Sequence, residues 1–149
     1  MDRYNNNLEY NYGYYTQLNP LQVKLSLILS GWKPPERFKR CLELGFGNGI
    51  TLSANSIAFN SEFYGTDINQ NHAAFCNSLL AEFDNSKGNI VGLNFNDFFE
   101  KNKADVFDFV GAHGVWSWVS HEDREFLKKQ FTKLQPGTVV YLSYNLASG

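Results

Sequence analysis

The chain has 149 residues, which suits one domain with a sizeable core. Its hydrophobic and charged contents, 43% and 19%, are globular values. A net charge of −2 provides no general field for drawing in nucleic acid, and no apolar run approaches the ~20 residues of a membrane helix. The N-terminus, Met1-Asp2-Arg3-Tyr4, is polar and has no leader character. Cys41 and Cys76 form no C-x-x-C pair, which argues against a metal site or a disulfide framework. Both read as buried thiols in a reducing, cytoplasmic setting.

Tyrosines crowd the first 19 residues: Tyr4, Tyr10, Tyr12, Tyr14 and Tyr15. They read as a surface arm or as an aromatic lid over a ligand pocket. Asn19-Pro20 marks a helix start, with Asn as the cap and Pro at the first position. Leu21, Leu25, Ile28 and Leu29 would form its apolar face, and Gly31 would end it. The two prolines of Trp32-Lys33-Pro34-Pro35-Glu36 make a stiff connector.

From Lys39 onward the pattern alternates. Strands are expected at about 40–44, 62–66, 90–94, 106–112 and 139–144. Helices are expected at about 49–58, 70–83, 98–101 and from Ser120 through Leu134. Ser120-His121-Glu122-Asp123 resembles a capping box. Such alternation predicts an α/β fold with a doubly wound, mostly parallel sheet whose strand ends form one ligand-binding edge. The expected division is a Tyr-rich lid and helix over 1–38 and a ligand-binding domain over 39–149.

The most informative stretch is Cys41-Leu42-Glu43-Leu44-Gly45-Phe46-Gly47-Asn48-Gly49. A strand runs into alternate glycines, and a helix follows. A dinucleotide fingerprint, G-x-G-x-x-G, would need its third glycine at Ile50, which argues against a dinucleotide-dependent oxidoreductase. No Lys-Ser or Lys-Thr pair makes a phosphate loop. What remains is E-x-G-x-G-x-G, with Asp67 closing the next apolar run at a spacing that suits a ribose diol. This combination resembles the class I S-adenosylmethionine-dependent methyltransferases, whose Rossmann-like fold matches the expected alternation.

The resemblance implies cofactor contacts from Glu43, Gly45, Phe46, Gly47 and Gly49, from Asp67 to the ribose, and from Ile68 to the adenine face. After the third strand, Asn96, Asp97 and Phe98 would hold the adenine, Asp97 by its exocyclic amine and Phe98 as an apolar wall. His113, after the fourth strand, would contact the cofactor or take a proton from an incoming amine. Trp116, Tyr144 and Asn145 would face the methyl acceptor. No metal is expected.

A narrower resemblance rests on four stretches: Tyr14-Tyr15 with Asn19-Pro20, Glu-Leu-Gly-Phe-Gly-Asn-Gly49, Ala112-His-Gly-Val-Trp-Ser-Trp118 and Ser143-Tyr-Asn145. Together they are similar to a bacterial methyltransferase family whose longer members carry a regulatory domain, and to rickettsial outer-membrane-protein lysine methyltransferases. It implies that Tyr15 belongs to the cofactor site, and that protein lysine is the first acceptor to consider, before a small molecule. The alternation stops soon after the fifth strand, where this fold usually continues with two more. The chain is therefore expected to be the N-terminal part of a longer protein, with the Val139–Tyr144 edge open to self-association. A non-catalytic Rossmann-like binding module is the alternative reading.

Overall fold

The computed structural model describes residues 12–83, 86–103 and 106–145. Tyr4, Tyr10 and the closing Leu146–Gly149 lie outside them. The strands are β1 (Arg40–Leu44), β2 (Glu62–Thr66), β3 (Gly88–Val91), β4 (Phe109–Ala112) and β5 (Val139–Leu142). The helices are α1 (Pro20–Leu29), α2 (Ile50–Ala58), α3 (Gln70–Ala81), α4 (Phe95–Lys101) and α5 (His121–Phe131). Every strand pairing is parallel, and the sheet order is β3-β2-β1-β4-β5. This is the doubly wound, Rossmann-like sheet expected from the alternation, and β5 is an outer strand.

Side chains alternate across a strand, so each strand feeds two cores. Cys41, Phe63, Ile90 and Phe109 join Leu52 of α2 and Ala73, Cys76 and Leu80 of α3 on one face. Leu42, Leu44, Tyr64 and Val110 join Phe95 and Phe98 of α4 and Leu127 of α5 on the other. Burial on both faces explains why these strands read as continuous apolar runs. Burial pushes the Cys41 thiol up to about 12, with Asp108 adding to the effect. Cys76 is raised by burial as well, and its sulfur lies 3.0 Å from Ser53 Oγ. Both cysteines are the buried thiols the sequence suggested.

Helices α2 and α3 cover only part of their face. Over β4 the chain lays its N-terminal arm instead. Leu18 is 2% exposed, and a Cβ added at Gly111 of β4 would meet Leu18 Cδ2 at 2.5 Å. The arm is tied down by Tyr15 N donating to Thr51 Oγ1 (2.8 Å), Tyr14 Oη donating to Asn55 Oδ1 (2.7 Å) and Asn55 Nδ2 donating to the Leu18 carbonyl (3.1 Å). Asn19 caps α1 as expected, accepting from the N–H groups of Leu21 and Gln22.

The apolar face expected of α1 is corrected. Pro20 and Val23 are buried and Leu27 packs beside them, whereas Leu21, Leu25, Ile28 and Leu29 are exposed. The helix carries two apolar stripes, and the core meets the smaller one. Val23→Ala should therefore cost roughly 1–3 kcal/mol. Leu21→Ser and Leu29→Ser should stay within about 0.5 kcal/mol of the parent. Urea denaturation giving the reverse ranking would contradict this placement.

Element boundaries also move. The third strand is Gly88–Val91 rather than 90–94, because the chain turns away to let Asn94 cap α4. That helix starts at Phe95, earlier than expected. The fourth strand starts at Phe109 rather than 106, where Asp108 closes its entry by accepting from the N–H groups of Lys39 (2.7 Å) and Arg40 (2.8 Å).

Candidate functional site

The connections leave β1 and β4 in opposite directions, so a crevice opens beyond their C-terminal ends. The glycine turn lies in it. Gly45, Gly47 and Gly49 all adopt left-handed φ values, +65°, +59° and +73°, which a side chain would strain. A Cβ at Gly45 would also meet Val115 Cγ2 at 2.5 Å, and one at Gly49 would meet Cys76 Sγ at 2.6 Å. The loop after β4 is thereby packed directly on the turn after β1.

Two carboxyl groups frame this turn. Asp67, at the end of β2, accepts from Gly47 N and from Asn69 N, each at 2.9 Å. It fastens the turn to β2, and four lone-pair positions on a carboxylate leave room for further donors. The cap of α3 is Asn69, not Asp67. Glu43 is 7% exposed, and no hydrogen bond reaches its carboxyl group from the described residues. Burial, with the neighbouring Asp67 acting in the same direction, raises its pKa to about 8. An acid this nearly buried, with no hydrogen-bond partner among the described residues, beside a glycine-rich turn is a place for a donor-bearing ligand.

Other expected positions divide. Ile68 is exposed beside Asp67, where a flat apolar ligand can reach it. Asn96 and Asp97 are exposed at the start of α4. Asp97 is engaged in a reciprocal cap: its N–H donates to Asn94 Oδ1 (2.9 Å), and its Oδ2 accepts from Asn94 Nδ2 (2.8 Å). Phe98 must be corrected. At 1% exposure it packs against Phe99 and Phe107 in the α4–α5 core, so it offers no wall to a ligand. The Phe46 ring is buried too, leaving its backbone to line the turn.

At the end of β4, His113 stands between two tyrosines. The Tyr15 ring tilts against it at 4.4 Å between centroids, and Tyr141 stacks at 6.0 Å with 8° between planes. Burial lowers the pKa of His113 below the ordinary histidine value. Trp116 is half-buried against the core under α5, with its carbonyl accepting from Arg124 Nη1 (3.2 Å). Tyr144 and Asn145 are exposed, and Asn145 N donates to Ser117 Oγ (2.7 Å). The fold thus brings together Tyr15, the glycine turn, Glu43, Asp67 and His113. Sequence reasoning missed Thr51 and Asn55, which anchor the arm, and Tyr141, which faces His113. The i, i+4 spacing of Thr51 and Asn55, which places both on one face of α2, was the available signal for the first pair.

These features define the class. The chain has a class I S-adenosylmethionine-methyltransferase fold. Residues 17–149 match the model of a methyltransferase domain family, and the chain belongs to that family. It is 28% identical over 150 residues to the uncharacterized protein sll1526 of Synechocystis sp. (strain ATCC 27184 / PCC 6803 / Kazusa), a match covering 95% of this chain and 29% of the relative. It is 25% identical over 118 residues to the uncharacterized protein RP028 of Rickettsia prowazekii (strain Madrid E), covering 78% and 46%. The chain therefore spans less than half the length of these relatives. Among solved structures, it resembles PKMT2 from Rickettsia typhi in complex with AdoHcy, with a TM-score of 0.76, 22% identity, and coverage of 95% of this chain and 27% of that one. The cyclopropane synthase MmaA2 from Mycobacterium tuberculosis matches at a TM-score of 0.58 and 19% identity, over 80% and 40%. At these identities the solved structures show a shared fold. No helix among the described residues is long and apolar enough to cross a membrane.

Proposed function

We propose that this chain binds S-adenosyl-L-methionine across the glycine turn and transfers its methyl group to an acceptor amine, a protein lysine before a small molecule. The observation that carries the reading is the unbonded, buried Glu43 carboxyl beside three left-handed glycines and the clamped Asp67. The residues present fit this cofactor. The turn admits its aminoacyl part against bare backbone, Glu43 receives a donor there, and Asp67 retains acceptor capacity for the ribose hydroxyls. Ile68 supports the adenine face, with Asn96 and Asp97 at its edge. The bound cofactor supplies an electrophilic methyl group on a sulfonium, open to in-line displacement.

The protein's share of the work is placement and proton handling. His113 lies beyond β4, next to the loop that packs on the turn, and burial favours its neutral form. A neutral imidazole suits an acceptor such as lysine, whose ammonium must shed a proton before it can attack. Tyr15 holds the lid against this ring, and Trp116, Tyr144 and Asn145 mark the acceptor side. A cytoplasmic setting agrees with two buried thiols, and the outer edge of β5 is the place for self-association.

The test is transfer of a tritiated methyl group to a panel of lysine-containing proteins and small amines, run beside a cofactor titration. Labelling that disappears in His113→Ala while cofactor still binds supports the reading. Cofactor binding with no labelling of any acceptor, even by a chain extended to the length of the relatives, would favour a non-catalytic module.

A further inference from the structure

The end of β4 carries more order than the reaction so far uses. His113 Nδ1 lies 3.1 Å from the Tyr141 hydroxyl and 3.3 Å from Ser143 Oγ. Ser143 Oγ also accepts from Gly114 N at 2.6 Å. The pairing explains this convergence. Gly111 pairs with Tyr141 and Ala112 with Leu142, and Ser143 N extends the ladder by donating to the Ala112 carbonyl at 3.1 Å. Alternation then places Gly111, His113, Tyr141 and Ser143 on one face of adjacent strands. From the other side the ring meets Tyr15, whose own amide is held by Thr51.

Counting donors selects a tautomer. Nδ1 without a proton has one lone pair, so two hydroxyls cannot both donate to it. Nδ1 with a proton can share that proton between two hydroxyl oxygens. Ser143 Oγ receives one N–H from Gly114 and keeps a second lone pair for this purpose. A proton on Nδ1 therefore satisfies both contacts and leaves the lone pair on Nε2. Among the described residues, no hydrogen bond reaches Nε2.

We propose that Tyr141 and Ser143 are positioning residues that hold the His113 proton on Nδ1, so that Nε2 is the atom that takes a proton from the methyl acceptor. The acceptor role rests on the methyltransferase reading above; the tautomer does not. In the step, the acceptor's N–H bond breaks, its electron pair stays on the acceptor nitrogen, and the proton joins Nε2 to give an imidazolium. The freed pair then forms the bond to the methyl carbon, and the pair of the broken C–S bond remains with sulfur. The ring is held in place throughout by the tilted Tyr15 ring and the Tyr141 stack.

The experiment is long-range 1H–15N correlation on protein with labelled histidine, the His113 signals being assigned by their loss in His113→Gln. The parent protein is expected to show a protonated Nδ1 and an unprotonated Nε2. The Tyr141→Phe/Ser143→Ala double variant is expected to show a mixture. Tyr141→Phe alone keeps the ring stack, should shift part of the way, and carries the comparison if the double variant does not fold. A proton on Nε2 in the parent, or a double variant with an unchanged tautomer, overturns the positioning claim. A parallel titration of the parent with S-adenosylhomocysteine separates the two levels: absence of binding sinks the methyltransferase reading, and the acceptor role with it, whatever the tautomer.

Discussion

Asp67→Ala is expected to weaken S-adenosylhomocysteine binding by about 2–3 kcal/mol, roughly 30- to 150-fold, because hydrogen bonds to a charged acceptor are the stronger kind. From sequence alone, the same substitution would be expected to change folding much less than binding. The structure changes that expectation. Asp67 accepts from Gly47 N and Asn69 N, so alanine strands two amides at the head of the site. Stability should fall as well, by roughly 1–3 kcal/mol. Asp67→Asn keeps one oxygen acceptor and should lose less of both. Calorimetric titration and urea denaturation of the same preparations check the pair. Unaltered affinity in Asp67→Ala would reduce this residue to a structural clamp.

Glu43 should make the ligand-free protein less stable as pH rises. Its pKa in the fold, about 8, lies above the ordinary value of 4.5, so between those limits the folded state holds a proton that the unfolded chain releases. The associated stability is present in full below about pH 4.5, declines as pH rises, and is gone above about 8. A shift of this size corresponds to a change on the order of 3–5 kcal/mol. Glu43→Gln, uncharged and of similar shape, should remove that decline and be the more stable protein at pH 8. A donor-bearing cofactor should also drive the proton off, so binding near pH 7 should release protons. Calorimetry in buffers of different ionisation enthalpy measures the release. Identical pH–stability curves for parent and Glu43→Gln would show that the buried acid is ionised throughout.

The glycine turn, Asp67 and the parallel sheet were legible because each is a local pattern with a geometric cause. Left-handed turns need glycine, and strands buried on two faces read as apolar runs. The exposed stripe of α1 was misread because both of its faces are apolar, and only the docked arm decides which one meets the core. Phe98 was misread because it follows a strand end, as a pocket residue would. The cap actually falls at Asn94, which turns Phe98 inward. The pairing of His113 with Tyr141 depends on β4–β5 register, a long-range property that strand alternation alone does not state. Parity along Val139–Ser143 does place Tyr141 and Ser143 on one face, so half of that signal was present in the chain.

Thermal denaturation with S-adenosylhomocysteine and with NAD in parallel tests the central claim most directly. At 100-fold excess over its dissociation constant, a ligand adds about 2.7 kcal/mol of stability, or roughly 5–10 °C in Tm for a domain of this size. The expected result is a shift of that order with S-adenosylhomocysteine and none with NAD. A shift with NAD and none with S-adenosylhomocysteine would contradict the assignment of the glycine turn, Glu43 and Asp67 to a methyl-donor site.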